Sequence, residues 1–438
     1  MLNFEELEKG FTEAEALAEA ERCLNCKNPL CVSGCPIENR IPEIIAAIKA
    51  RDYPTAIAII NANSNLAIIC ARVCPHNDQC EGACVLNRKG VGIRISKLAR
   101  FLAEKEMELA FNKLRGKIAV IGSGPAGLSA AAILAKQNYR VTIFEAQPKA
   151  GGVLRYGIPE YRLPHDVVDK QIEIVRNLGA RIETGVVIGE DLTIDQLFSM
   201  EYQAIFIGTG TGLSRKLDIE GEDLPGSMQA TYFLKTVTLI QDESLANLSY
   251  PVQPGDRVLV IGAGNVAVDA ARTALRLGAA SVRAVDIVPE KERRASDKEY
   301  GEALHEGVSF SFETSITQIH GDNKLTGVTL QKFSRQVAGR KSIAIALKDS
   351  EERVDCNKLI IAVGQKPFAR IVSTTTGIKT NERGYVIIET SPYYGMTTRT
   401  GVFAAGDVVH EPKTVILAMR EGRRVAEAID SFLQGDKE

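Results

Sequence analysis

The sequence predicts an α/β protein, with an α-helical N-terminal domain followed by two Rossmann-like domains. Three observations predict this. Eight of the nine cysteines lie before residue 85, in a region of helical periodicity. From residue 116 onward, strand-like and helix-like runs alternate, as they do in open parallel sheets. Within that alternation one pattern occurs twice: an apolar strand, a glycine turn and an alanine-rich helix.

The first 115 residues read as one helical domain. Apolar residues recur at helical spacing from Glu13 to Arg22 and from Ile41 to Asn61, and a charged amphipathic helix is expected from Ile95 to Leu114. Two cysteine runs sit between these stretches: Cys23-x2-Cys26-x4-Cys31-x3-Cys35-Pro36 and Cys70-x3-Cys74-Pro75-x4-Cys80-x3-Cys84. Soft thiolates two to four residues apart on a turning backbone can reach one cubic iron-sulfur cluster, and the proline stops the ligand loop from continuing as helix. Eight cysteines suffice for two 4Fe-4S clusters. Two alternative uses of these cysteines fit the sequence less well. Zinc sites usually pair C-x2-C units across a longer gap. Disulfides need an oxidising compartment, whereas MLNFEELEKGF is acidic and has no apolar export segment.

The repeated pattern carries dinucleotide chemistry. In KIAVIGSGPAGLSAAAILAK the strand runs into Gly122-x-Gly124-Pro125-Ala126-Gly127, and in RVLVIGAGNVAVDAARTALR into Gly262-x-Gly264-Asn265-Val266-Ala267. The first glycine permits a tight turn, the second lets backbone approach a pyrophosphate, and the third position keeps the helix close to the strand. The helix N-terminus then faces the phosphates with partial positive charge. Glu145 and Asp286 lie 23 and 24 residues past the first glycines, where a carboxylate can bind ribose hydroxyls. Two such turns imply two dinucleotides, one resident and one exchanging.

Composition excludes several other functions. Lys plus Arg number 53 against 55 Asp plus Glu, a formal net charge of -2, which argues against a nucleic-acid surface. No apolar run is long enough to span a bilayer, and the chain is expected to be soluble and cytoplasmic, without membrane insertion. The five histidines (His76, His165, His305, His320, His410) form no metal-spaced pair, and none is assigned a catalytic role. No cysteine falls between residues 85 and 355, so no redox-active cysteine pair stands beside the nucleotide units. Cys356 reads as a small core residue at the start of a strand. The N-terminal clusters are then the visible exit for electrons.

These segments carry a resemblance. Gly151-Gly152 after the first unit, IFIGTG ending in Thr209 and Gly210, and GVFAAGDVV with Gly406 and Asp407 resemble the flavoproteins with two dinucleotide-binding domains, of the adrenodoxin-reductase and glutathione-reductase type. Together with GGVLRYGIPEYRLP, IIAVGQKP with Gly364 and the cysteine-rich start, the whole chain resembles the small (beta) subunit of glutamate synthase and its relatives. Those relatives include the FAD/iron-sulfur subunit of NAD-dependent dihydropyrimidine dehydrogenase and the large subunit of NADH-dependent ferredoxin:NADP oxidoreductase. The resemblance implies FAD on the first unit and nicotinamide dinucleotide on the second. It implies domains at 1–115, at 116–225 with 355–438 (FAD), and at 226–354 (NAD(P)H). It further implies that Cys23, Cys26, Cys31 and Cys84 hold one cluster and Cys35, Cys74 and Cys80 the other. The family's fourth ligand to that second cluster, a Glu or Gln, aligns with Ala99, which cannot bind iron; Cys70 is the nearest spare thiol, with water or a partner residue as alternatives. Where members commonly carry two arginines, this chain reads Val285-Asp286-Ile287-Val288. A carboxylate there suits a free 2'-hydroxyl, so NADH is favoured over NADPH, while Arg293 and Arg294 keep a 2'-phosphate possible. The activity implied is electron input: NAD(P)H reduces FAD, and electrons pass through two clusters to a catalytic partner subunit or a ferredoxin-type protein in a hetero-oligomer. A glutamate synthase large subunit is the leading expectation for the partner, and the pyrimidine dehydrogenase and ferredoxin or bifurcating enzymes are the alternatives.

Overall fold

In a computed structural model the described residues are 6, 8–105, 115–338, 341–367, 370–411 and 414–435. They group into two compact units. One runs from Glu6 to Arg155, from Arg162 to Leu213 and from Lys366 onward; the other comprises Tyr156–Tyr161 and Ser214–Gln365.

The first unit begins with helices Glu13–Glu21, Ile41–Lys49, Tyr53–Asn63, Ala67–Val73 and Ile95–Glu104. Thr12 and Glu15 start the first with a reciprocal capping box. The helical stretch expected from Ile41 to Asn61 is broken in two. Arg51 takes a left-handed φ of 55°, and the Asp52 side chain then accepts the Thr55 N–H to cap a new helix with Pro54 in its first turn. The helix expected from Ile95 to Leu114 is seen to Glu104, and the residues from 106 to 114 lie outside those described.

The same unit holds a five-stranded parallel sheet in the order Val402–Ala404, Ala204–Ile207, Lys117–Ile121, Arg140–Glu145, Arg181–Thr184. Its strands are nearly continuous apolar runs, as a sheet covered on both faces requires. One face packs on Ile188, Ile194, Leu197 and Tyr202. Helices Pro125–Lys136 and Val415–Gln434 lie close together, because Gly422 leaves room for the Ala126 carbonyl; a Cβ there would stand 2.3 Å from it.

The other unit repeats the plan: a parallel sheet in the order Ser227–Gln229, Lys358–Ile361, Arg257–Ile261, Ser281–Val285, Ser309–Ser311. A second, antiparallel sheet uses Thr314–His320, Gly327–Ala338, Lys341–Ala346 and Glu352–Val354. The expected return to the first domain at residue 355 is therefore corrected. The strand Lys358–Ile361 pairs with Arg257–Ile261 in the second sheet, so this unit extends to Gln365. It also begins earlier than 226, at Ser214, and recruits Tyr156–Tyr161. Cys356 is buried in this unit's core beside Leu259 and Leu359, where burial pushes its thiol up to about 11.

Candidate functional site: two nucleotide turns and two thiol groups

In each parallel sheet the strand that enters the glycine turn is central, and its C-terminal end lies where the strand order reverses, the usual place for a ligand in such sheets. The two turns are built alike. The Gly122 N–H donates to the Phe144 carbonyl (2.8 Å) and the Gly262 N–H to the Val285 carbonyl (2.7 Å). Both glycines have positive φ, 96° and 115°. Gly124 and Gly264 are the N-caps of helices Pro125–Lys136 and Asn265–Arg276, so the free N–H groups of each first turn face the loop.

The acids expected to hold ribose are tied to these turns. Glu145 is buried; its Oε2 accepts the Ser123 N–H (3.0 Å) and hydroxyl (2.5 Å), and its Oε1 the Gln147 N–H (2.8 Å). Asp286, half-buried, accepts the Ala263 N–H (2.7 Å) and the Val288 N–H (3.2 Å). In both units the N–H between the first two glycines fixes the carboxylate at the end of the second strand. Ser123 was not singled out from sequence, yet it is the link: its hydroxyl also accepts the Gly151 N–H (2.8 Å).

The remaining residues expected around the first turn converge on it. A Cβ on Gly152 would meet Gly124 Cα at 2.7 Å, one on Gly122 would meet the Gly208 carbonyl at 2.7 Å and Thr209 Cα at 3.3 Å, and one on Gly406 would meet Ala126 Cβ at 3.1 Å. Gly210 has a φ of 65°, and Asp407 follows Gly406 in a short 3-10 turn after strand Val402–Ala404. Gly124 faces open space, as a backbone meant to touch a pyrophosphate must. In the second unit Gly262 lies against the Ala362 carbonyl, and Val266 is exposed. Gly364, with φ of 104°, lies in this second unit beside Arg215.

Arg293 and Arg294 separate. The Arg293 guanidinium pairs with Asp297, donates to the Glu290 carbonyl (3.1 Å) and stacks 4.3 Å from the Tyr300 ring. Arg294 is exposed, and its Cβ stands 3.8 Å from where a Cβ on Gly264 would be. The Asn265 side-chain oxygen takes the Ser296 N–H (3.4 Å), which lays this loop over the second turn.

The N-terminal cysteines are all free thiols in two groups. Cys23, Cys26, Cys31 and Cys84 line one pocket, walled by Ile41, Ile45 and Ile93, with Leu24 and Leu30 exposed at its rim. Burial pushes the Cys31 thiol up to about 11, reinforced by Cys23 and Cys84. Cys35, Cys70, Cys74 and Cys80 form the other group. A hydrogen bond with Cys70, then burial and the neighbouring Cys70, Cys80 and Cys35, hold the Cys74 thiol well above its ordinary value. Burial and Cys35 do the same for Cys80. Backbone N–H groups of Asn39, Ile37 and Glu38 are directed at Cys35. Grouped thiols, with backbone amides aimed at the Cys35 sulfur, are a donor set of the kind an iron-sulfur cluster takes, and binding would remove their protons.

A flavoprotein with two nucleotide units and an iron-sulfur front end is what this fold and site define. The chain belongs to the pyridine nucleotide-disulphide oxidoreductase family, whose model matches residues 116–422, and the model for dihydropyrimidine dehydrogenase domain II, 4Fe-4S cluster, matches residues 1–111. It is an FAD-dependent, NAD(P)H-linked iron-sulfur oxidoreductase. Over its length it is similar to the glutamate synthase [NADPH] small chain of Halomonas elongata, 32% identical over 98% of this chain and 93% of that one. It is also similar to the NAD-dependent dihydropyrimidine dehydrogenase subunit PreT of Salmonella typhimurium, 34% identical over 98% and 97%. Among solved structures, FprA of Mycobacterium tuberculosis in complex with NADPH shares the fold, with a TM-score of 0.60 and 21% identity over 73% of this chain and 85% of that one. Among the described residues no single helix is long and apolar enough to cross a membrane.

Proposed function

We propose that this chain is the electron-input subunit of a larger cytoplasmic reductase, oxidising NADH and delivering electrons to a separate catalytic subunit. One observation carries the reading: a single chain holds two dinucleotide turns built alike and two distinct groups of four thiols. FAD would be held by Gly122, Gly124, Pro125, Ala126, Gly127, Glu145, Gly151, Gly152, Thr209, Gly210, Gly406 and Asp407. The nicotinamide dinucleotide would be held by Gly262, Gly264, Asn265, Val266, Asp286 and Arg294, with Gly364 nearby. The bound groups supply the redox chemistry, hydride acceptance by flavin and one-electron carriage by two 4Fe-4S clusters. The protein supplies their order. The group containing Cys70 touches helix Val415–Gln434, which packs on the helix of the first turn, whereas the group containing Cys23 opens to the surface between exposed Leu24 and Leu30. That apolar rim fits docking of the partner next to the exit cluster. A glutamate synthase large subunit is the leading candidate, supported by full-length similarity to small chains of that enzyme. Asp286 favours the second reading, a dihydropyrimidine dehydrogenase partner, because PreT relatives are named as NAD-dependent. Isolation of the native complex is expected to yield a second subunit that binds FMN. A chain that purifies alone, and by itself reduces a disulfide substrate with NADH, would overturn the proposal.

The nicotinamide preference is separately testable. The Asp286 carboxylate, fixed by two backbone N–H groups, would face a 2'-phosphate at close range. NADH is therefore expected to reduce the flavin with a kcat/KM on the order of tenfold above that of NADPH. Equal or better use of NADPH would contradict this and assign the 2'-phosphate to Arg294, since Arg293 is already paired.

A further inference from the structure

Cys70 lies on helix Ala67–Val73, and Cys74 is the C-cap that ends it, its N–H donating to the Cys70 carbonyl (3.1 Å). The two thiols are hydrogen-bonded to each other. Cys70 is buried, and Cys70, Cys80 and Cys35 are the thiols that act on Cys74. The Cys70 thiol also meets Met419 Sδ at 3.8 Å, a methionine that is 1% exposed. Two oxygen donors flank the set. The Glu81 carboxylate next to Cys80 is engaged with the Ser96 N–H at 2.7 Å, at the start of helix Ile95–Glu104. Asn39 Oδ1 is buried with no hydrogen-bond partner. Between an amide oxygen and a thiolate, iron in a sulfide cluster takes the softer ligand.

We propose that Cys70 is the fourth protein ligand of the second cluster, which is then held by four thiolates: Cys35, Cys70, Cys74 and Cys80. The proposal rests on the reading of these cysteines as cluster ligands and goes beyond it in naming the corner. Binding takes a proton from each thiol and leaves Met419 as an apolar cover over the Cys70 sulfur, with Ser129 holding the Met419 carbonyl at 3.0 Å from the helix of the first turn.

The test uses the anaerobic holoprotein. In the unsubstituted protein, Mössbauer spectra are expected to show all iron in sulfur-only coordination; about one iron in eight with an oxygen or nitrogen ligand would overturn the proposal. In Cys70→Ala one cluster is expected to lose an iron or disappear, so that roughly one to four of about eight irons are lost, while FAD stays stoichiometric as a report of folding. Asn39→Ala should keep full iron. Full iron and unchanged EPR in Cys70→Ala, or loss of one cluster in Asn39→Ala instead, would overturn the assignment. Zinc without acid-labile sulfide in the unsubstituted protein would instead overturn the cluster reading itself.

Discussion

Gly127→Ala is expected to yield protein without stoichiometric FAD. The added Cβ would stand 1.9 Å from the Gly122 carbonyl oxygen, and the obstacle is backbone, which cannot swing aside like a side chain. Helix Pro125–Lys136 would have to lift off strand Lys117–Ile121, although it is pinned on its other side by Gly422 against the Ala126 carbonyl. We expect a loss of about 3 kcal/mol or more in the first unit, with the turn displaced from the flavin phosphates. The second unit provides the control, since Ala267 occupies the matching position as a buried residue. Ala267→Gly should cost only about 1 kcal/mol and leave FAD in place. Flavin absorbance per protein and thermal unfolding check both variants; full flavin and an unchanged Tm in Gly127→Ala would contradict the account.

Glu306→Gln is expected to unfold the second unit far more readily. Arg272 and Arg276, one turn apart on the helix of the second fingerprint, both have fully buried side chains. Each makes two bonds to Glu306: 3.0 and 2.6 Å from Arg272, 2.7 and 3.0 Å from Arg276. The Tyr161 ring lies 3.7 Å from the Arg276 guanidinium and 4.9 Å from that of Arg272, so this cluster also anchors Tyr156–Tyr161. Losing the carboxylate charge takes from two buried cations a partner that each binds twice, while Glu302 stays 2.9 Å from Arg272, a cost of about 3–5 kcal/mol. Burial by itself would raise the Glu306 carboxyl, but the hydrogen bonds and charges of Arg276 and Arg272 outweigh it and bring it from 4.5 down to about 2. Because the folded value is the lower one, this stabilisation is fully present above pH 4.5 and is lost as pH falls toward 2. Urea midpoints should therefore differ most at neutral pH and converge in acid; parallel pH profiles would contradict the linkage.

The glycine turns and their acids were legible because each is a local pattern whose chemistry needs fixed spacing, whereas the division of the cysteines, which joins Cys84 to a run 53 residues earlier, came from the family resemblance. What was not legible depends on partners distant in sequence. The strand Lys358–Ile361 reads like any apolar run, and its pairing with Arg257–Ile261 assigns it to the second unit. Arg272 and Glu306 are 34 residues apart and look like surface charges until their helices pack. Met419 reads as one more apolar residue of an amphipathic helix, and its place beside Cys70, 349 residues away, comes from packing. Ser123 had a faint signal: a hydroxyl between two turn glycines has a carboxylate at hand when the next strand ends in Glu145. The break at Arg51 was signalled by Asp52 and Pro54, a cap and a first-turn proline that interrupt the helical period.

Nicotinamide, flavin and two clusters are expected to occupy this one chain. Metal, acid-labile sulfide and flavin analysis of a single anaerobic sample, followed by EPR after chemical reduction, tests it most directly. One FAD, about eight irons, about eight sulfides and two distinguishable cluster signals per chain are expected. One FAD accompanied by stoichiometric zinc, no labile sulfide and no cluster signal would contradict it.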